Sequence, residues 1–271
     1  MSSTPSTAAH AGGEVPKLQL RDVHVTYRSA DGKDVEAVRG IDLSIANKPE
    51  VGEIVVFLGP SGCGKSTLLK AVAGLLPLSR GEVLVDGVKV EGVGRERGMV
   101  FQAYTSFGWL TVQENVEYGL KLQGLPRQER APMAGRYLDA VGLKDSADKY
   151  PKELSGGMKQ RVAIARTLIN KPKLLLMDEP FGALDPQTRW GMQGLLIDIS
   201  RTEDNTILFV THDVAEAVYL ADTVFVLSKR PAQVLHRVDV PVFHERDLAL
   251  KSKPEFRDVE QHLLDLVYQK Q

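Results

Sequence analysis

Residues 18–27 (LQLRDVHVTY) alternate apolar and polar, with Leu18, Leu20, Val23, Val25 and Tyr27 on one side and a slip at Asp22. Period-2 patterning predicts a half-buried β-strand. Residues 29–32 read as a turn and 36–45 (EAVRGIDLSI) as a second strand, so the chain opens on an antiparallel sheet of hairpins; 48–50 is another turn. The pattern then changes. Residues 54–58 (IVVFL) are apolar without interruption, as are 174–177 (LLLM) and 206–210 (TILFV), with shorter runs at 98–101 and 223–227. Unbroken runs of strand length predict strands covered on both faces. Helical spacing follows them at 68–76 (stopped by Pro77), 155–170, 187 to about 201, and 214–220. Strands alternating with helices predict a parallel, doubly wound sheet. Residues 81–86 (GEVLVD) add one alternating strand. From 112 to 168 the spacing is helical, carried by Val112, Val116, Leu120, Leu122, Met133, Tyr137, Leu138 and Val141, and broken at 124–126 and Gly142. The expected fold class is α/β: a parallel-sheet core, an N-terminal antiparallel β subdomain and a helical insertion over about 103–170. Residues 1–16 read as a disordered tail rich in Ser, Thr, Ala and Gly, 17–240 as the main domain, and 241–271 as a short polar tail ending in a small amphipathic helix at 259–268.

Composition narrows the classes. Thirty-four Lys and Arg balance thirty-five Asp and Glu, for a net charge of −1 in 271 residues. No basic field marks a dedicated nucleic-acid binder. One cysteine, Cys63, permits no intramolecular disulfide and suits a reducing compartment. No apolar run approaches the roughly 20 residues of a membrane helix, and the N-terminus lacks the charge-then-apolar order of a signal peptide. Any work at a membrane needs a partner that holds the chain there.

The chemistry centres on residues 59–67, GPSGCGKST, between the apolar run at 54–58 and the helical pattern after it. Gly59, Gly64, Lys65 and Ser66 meet the spacing G-x-x-x-x-G-K-[ST]. Such a loop turns backbone N–H groups inward at a helix N-terminus and makes an anion nest. Gly59, Pro60, Ser61, Gly62, Cys63, Gly64, Lys65, Ser66 and Thr67 are the expected phosphate contacts, with Lys65 reaching β- and γ-phosphates and Ser66 ligating Mg²⁺. Cys63 is a small residue that fits the turn. Asp178 and Glu179 end the apolar strand at 174–177. Asp178 can hold Mg²⁺ opposite Ser66, and Glu179 can reach the attacking water. Gln102 and His212 also follow strand-like runs, so these residues share the carboxyl edge of the expected sheet, where nucleotides bind in such folds. Residues 154–161 (LSGGMKQR) put Ser155, Gly156 and Gly157 where a helix begins; a plain helix cap would explain the serine but not the glycines.

With these residues in order, the chain resembles the ATP-binding subunits of ABC transporters over about residues 17–240: GPSGCGKS, Gln102, LSGGMKQ, LLLMDEP, Ala183-Leu184-Asp185 and Thr211-His212-Asp213. The resemblance implies a head-to-tail dimer with a second copy or a paralogue, each ATP lying between one phosphate loop and the Ser155–Gly156–Gly157 segment of the other subunit. It implies catalytic roles for Glu179, His212, Gln102 and Lys65, Mg²⁺ held by Ser66, Gln102 and Asp178, a seam position for Asp185, and Tyr27 stacked on adenine. Met158 stands where the family more often has glutamine. Residues 103–110 (AYTSFGWL) would line a groove, near Phe107 and Trp109, for a helix of an integral membrane permease. The stretches LLLMDEPFGALDPQTRWGMQ and VTHDVAEAVYLADTVFVLSKRP are similar to the importer subgroup for nitrate, sulfonate and taurine. Implied with it are an indirect solute-binding protein, a peripheral location on the cytoplasmic face of the cell membrane, ATP and Mg²⁺ as cofactors, and no nucleic-acid partner. A lipid-handling or export ABC complex and a soluble non-transport ABC ATPase remain alternatives; a P-loop kinase of small molecules would leave LSGGMKQ and His212 unexplained.

Overall fold

The computed structural model describes residues 15–29, 31–48, 52–103, 105–202, 205–241 and 248–268. Residues 1–14 of the expected tail, residues 49 and 50 of the expected turn, and Tyr104 lie outside them. The N-terminal hairpin is β1 (Leu18–Arg28) and β2 (Asp34–Ile45), joined by β4 (Arg80–Val85) and a short β5 (Val88–Lys89) in the order β2-β1-β4-β5. The slip at Asp22 is a register shift between Leu20 and Val23; Asp22 takes a φ of 47° there, and its amide donates to Asp42 Oδ1 at 2.8 Å.

The second sheet runs β10-β9-β3-β8-β7-β6. Its parallel strands are β3 (Glu53–Leu58), β6 (Arg97–Val100), β7 (Leu174–Asp178), β8 (Thr206–Thr211) and β9 (Thr223–Leu227). Both faces of β3, β7, β8 and β9 are buried, which accounts for the unbroken apolar runs. Val55 and Phe57 of β3 pack toward the antiparallel sheet and helix α1 (Lys65–Val72). Ile54, Val56 and Leu58 pack on the opposite side against helices α4 (Gly156–Leu168), α5 (Pro186–Thr202), α6 (Val214–Leu220) and α7 (Pro254–Tyr268). A third cluster joins α4 to α2 (Val112–Leu122) and α3 (Arg127–Ala140) and forms the helical layer.

Several expected boundaries move. α1 begins at Lys65, inside the glycine-rich motif, and stops before Pro77. Gly74, at φ 76°, ends it: the Gly74 amide donates to Ala71 O and the Leu75 amide to Lys70 O, the pattern of a Schellman cap. β2 starts two residues earlier than the pattern suggested. β10 (Val234–Asp239) was not foreseen. It pairs antiparallel with β9 at the sheet edge and carries mostly half-buried and exposed side chains, so no apolar run marks it. α7 starts at Pro254 rather than 259. Proline is at home in a first helical turn, and the helix is anchored by two separated residues, Phe256 and Leu263, both fully buried in the cluster beneath β3. Just ahead of it, the Lys251 ammonium lies 4.4 Å from the Trp190 ring centroid, and Trp190 meets Tyr219 edge-on at 4.9 Å. Phe256→Ala is expected to lower unfolding free energy by about 3–5 kcal/mol, the usual range for emptying a buried phenylalanine site. Urea unfolding measures this; an unchanged midpoint would mean that α7 adds nothing to the core.

Candidate active site at the carboxyl edge of the parallel sheet

The loop after β3 bends at Gly62 (φ 75°) and Gly64 (φ 124°) and enters α1 at once. Glycine is required at 64: a Cβ there would run into the Ala37 carbonyl of β2 and press on Ala232. No side chain caps α1, so its first amides face the loop. Lys65 is 3% exposed, and its Nζ donates to Gly59 O at 2.8 Å and Pro60 O at 2.9 Å. The Ser66 hydroxyl donates to Asp178 Oδ1 at 2.6 Å. Cys63 is buried, and burial pushes its thiol up, so the neutral form dominates. Pro60 is half-buried, Ser61 exposed and Thr67 half-buried along the same turn.

Across from this loop, β7 ends at Asp178, and Glu179 turns the chain with a φ of 42°, its amide donating to Val210 O at 3.1 Å. The turn aims the Glu179 carboxylate back at the loop: one oxygen lies 3.8 Å from Lys65 Nζ and the other 3.1 Å from His212 Nδ1. His212 follows β8 and is half exposed. Lys65, Ser66, Asp178, Glu179 and His212 therefore form one connected constellation. Gln102 joins it by position only. Val100 pairs with Met177, which brings the exposed Gln102 level with Glu179 at the same sheet edge. Tyr27 is 40% exposed and pairs with Val35, two residues before the Ala37 that abuts Gly64.

The remaining expected residues lie elsewhere. Ser155 caps α4, its Oγ accepting from the Met158 amide at 3.3 Å. Gly157 is buried, and a Cβ on it would meet the Thr188 methyl group of α5, so close helix packing explains this glycine. Asp185 caps α5, accepting from the Thr188 amide at 3.0 Å; the Thr188 side chain and amide hold its carboxyl below the usual range. No hydrogen bond among the described residues links Ser155, Gly156 or Gly157 to the phosphate-loop motif.

Two residues of the helical layer carry more than sequence reasoning assigned. Asn115 is fully buried and binds the backbone of Phe107, Leu110 and Thr111, which shapes the loop before α2. Thr111 and Glu114 form a capping box, and that signal was legible in TVQE. Arg166 donates to Thr105 O and Oγ1 and stacks 5.1 Å from the Phe107 ring. Phe107 also packs on Tyr118 and Trp109, and Trp109 is 74% exposed.

The donor set fits Mg²⁺ bound together with a phosphate. Ser66 and Asp178 offer hard oxygen ligands, while no group of three His, Cys, Asp or Glu among the described residues could cage a metal alone. A cavity of about 270 Å³ at the opposite edge of the sheet, beside Glu53, Thr223 and Arg237, is separate from these residues. Gly157→Ala is expected to destabilise the fold by about 1–3 kcal/mol through overpacking, and Thr188→Ser, which removes the obstructing methyl, to restore it. Thermal unfolding of the single and double variants decides, and a double variant as weak as Gly157→Ala alone would refute the packing account.

Comparison with known proteins agrees with this geometry. The sequence profile of the ABC transporter family matches residues 41–182. The nitrate import ATP-binding protein NrtD of Synechocystis is 49% identical over 245 residues, which cover 88% of this chain and 90% of that protein. The taurine import ATP-binding protein TauB of Escherichia coli is 40% identical over 252 residues, covering 91% and 97%. Among solved structures, the ATP-binding cassette MJ0796, a dimer in a post-hydrolysis state bound to ADP and phosphate, superposes with a TM-score of 0.70 at 30% identity, over 83% of this chain and 100% of that one. CbiO1 of Clostridium perfringens, part of the ABC transporter complex CbiONQ, superposes at 0.73 with 29% identity, covering 94% and 99%. The profile match and these relatives, together with the site at the sheet edge, show that the chain belongs to the ABC transporter family as an ATP-binding subunit.

Proposed function

We propose that this chain hydrolyses ATP to power an importer for a small anion of the nitrate, sulfonate or taurine kind. The observation that carries the reading is the meeting of Lys65 and His212 on one carboxylate, Glu179, beside the Ser66–Asp178 pair. The anion class rests on the likeness to NrtD and TauB. The ATP-binding unit spans 17–240, with its helical part at about 103–170.

Each residue then has a task. The α1 amides and Lys65 bind the β- and γ-phosphates; the lysine exchanges its two loop carbonyls for phosphate oxygens. Ser66 and Asp178 hold Mg²⁺, with Gln102 alongside, and the bound ion supplies charge neutralisation on the phosphates. Glu179 accepts the proton of the attacking water. His212, hydrogen-bonded to Glu179 through Nδ1, keeps the carboxylate aimed and faces the terminal phosphate with its other nitrogen. Tyr27 offers its ring to the adenine.

The site is half of a pair. The Ser155 hydroxyl uses its oxygen as a cap acceptor, so its O–H proton remains for a phosphate. The Ser155–Gly156–Gly157 segment meets that phosphate across a head-to-tail interface with a second copy or a paralogous subunit, and Asp185 lies at the seam. Permease subunits dock on the surface around Phe107 and Trp109, where an aromatic cluster reaches solvent, and a solute-binding protein delivers the anion to them. No helix among the described residues is long and apolar enough to cross a membrane. The subunit is peripheral, on the cytoplasmic face, and is held there by the permease.

Glu179→Gln in the assembled transporter is expected to lower kcat for ATP by roughly 10²–10⁴-fold, the span of a lost general base, while ATP binding persists. Lys65→Ala should lose the binding itself. Turnover and equilibrium nucleotide binding measure the two, and undiminished turnover by Glu179→Gln would refute the hydrolytic assignment. Uptake of labelled nitrate and taurine in cells with and without the gene tests the anion class; equal uptake of both in the two strains would remove it.

A further inference from the structure

Glu216, in the first turn of α6, is 7% exposed, and both its oxygens are engaged. One accepts from Gln193 Nε2 of α5 at 3.0 Å, the other from the Thr211 hydroxyl at the end of β8 at 2.6 Å. Thr211 Oγ1 accepts in turn from the Asp213 amide at 3.0 Å, and Asp213 Oδ1 accepts from the Glu216 amide at 3.0 Å. These bonds close a ring around His212, the residue between Thr211 and Asp213. Gln193 and Thr211 are each 2% exposed, so water does not substitute for them. Gln193 belongs to the helix that Asp185 caps, and on that helix Arg189 donates to Leu184 O, next to Asp185, at 3.2 Å.

We infer that Glu216 is a positioning residue for ATP hydrolysis: its buried carboxylate ties the loop that carries His212 to the helix that starts at Asp185. The inference rests on the role proposed for His212. An exposed imidazole 3.1 Å from Glu179 keeps that distance only if its backbone is held, and the hydrogen-bonded ring supplies the hold from the buried side. The arrangement also joins two elements that the proposed dimer would use together. Asp185 lies at the seam and His212 at the phosphate, and Glu216 bonds to Gln193 on the helix that Asp185 caps and to Thr211, the residue before His212. Burial, the largest influence, and the Asp213 charge push the Glu216 carboxyl above its usual range, opposed by the bonds from Thr211 and Gln193 and by the charge on Arg189.

The test compares variants in the assembled transporter. Glu216→Ala should lower kcat for ATP roughly ten- to a hundredfold, the span seen when a supporting shell residue is lost, with KM for ATP within about twofold. Glu216→Gln should recover most of the rate. The introduced amide still accepts from Thr211, and Gln193 can turn its own oxygen to accept from the new NH₂. On a His212→Ala background Glu216→Ala should add almost nothing, because the two act as one unit. An unchanged kcat in Glu216→Ala, equal losses in the Ala and Gln variants, or full additivity with His212→Ala would each overturn the inference. If Glu216→Ala does not fold, Gln193→Leu decides, with a fall in kcat at constant KM expected and an unchanged kcat overturning it. Wild-type turnover in His212→Ala would sink the role given to His212 and this inference with it. An inactive His212→Ala beside a fully active Glu216→Ala would sink this inference alone.

Discussion

A lysine ammonium with 3% of its surface exposed must be surrounded by oxygen, because an unpaired buried charge costs several kcal/mol. Much of the carboxyl edge is arranged to meet that demand. Gly59 and Pro60 turn their carbonyls inward to receive Lys65, and Glu179 stands 3.8 Å away as its counter-charge. Those two carbonyls are weak holders compared with a phosphate. The ammonium is kept dry, aimed and easily surrendered, a starting state suited to an anion that arrives and leaves in each cycle.

The sheet behind the loop is built to keep this edge rigid. Because β3, β7 and β8 are buried on both faces, their ends cannot shift without disturbing two cores at once. The helical layer has its own core on α2, α3 and one side of α4, and α4 joins it to the sheet: Ile164 and Leu168 pack in the core that holds Ile54 and Val56 of β3. The arrangement is a stiff catalytic edge with a helical layer fastened to it through α4.

Much of this was legible in the sequence. Both-face burial writes unbroken apolar runs, so the parallel strands were plain, and the edge residues that follow them came with the strands. What escaped has a common physical cause. β10 is an edge strand with little to bury, so half of it is polar and its apolar residues Val234, Leu235 and Val238 form no unbroken run. The start of α7 depends on a single anchor, Phe256, and no periodicity arises from one residue. The stop of α1 was assigned to Pro77 when Gly74 had already ended it, since a Schellman cap needs only a glycine and two amides. Asn115 and Glu216 were invisible because their meaning lies in partners on other elements or across a turn, and spacing along one helix cannot announce those. Gly157 read as part of an anion nest, whereas its lack of a side chain also serves the contact with Thr188.

Among the described residues, the backbone at Glu179 is the one place on this edge where a side chain other than glycine is held at positive φ. Such a conformation stores about 1–3 kcal/mol. Glycine would relax it and remove the carboxylate that Lys65 and His212 share. Fold and chemistry therefore pull this position in opposite directions. A search for more stable versions of the chain would select against its activity at residue 179 first, and stability gained elsewhere, in α7 or the two cores, is what lets the strained acid stay.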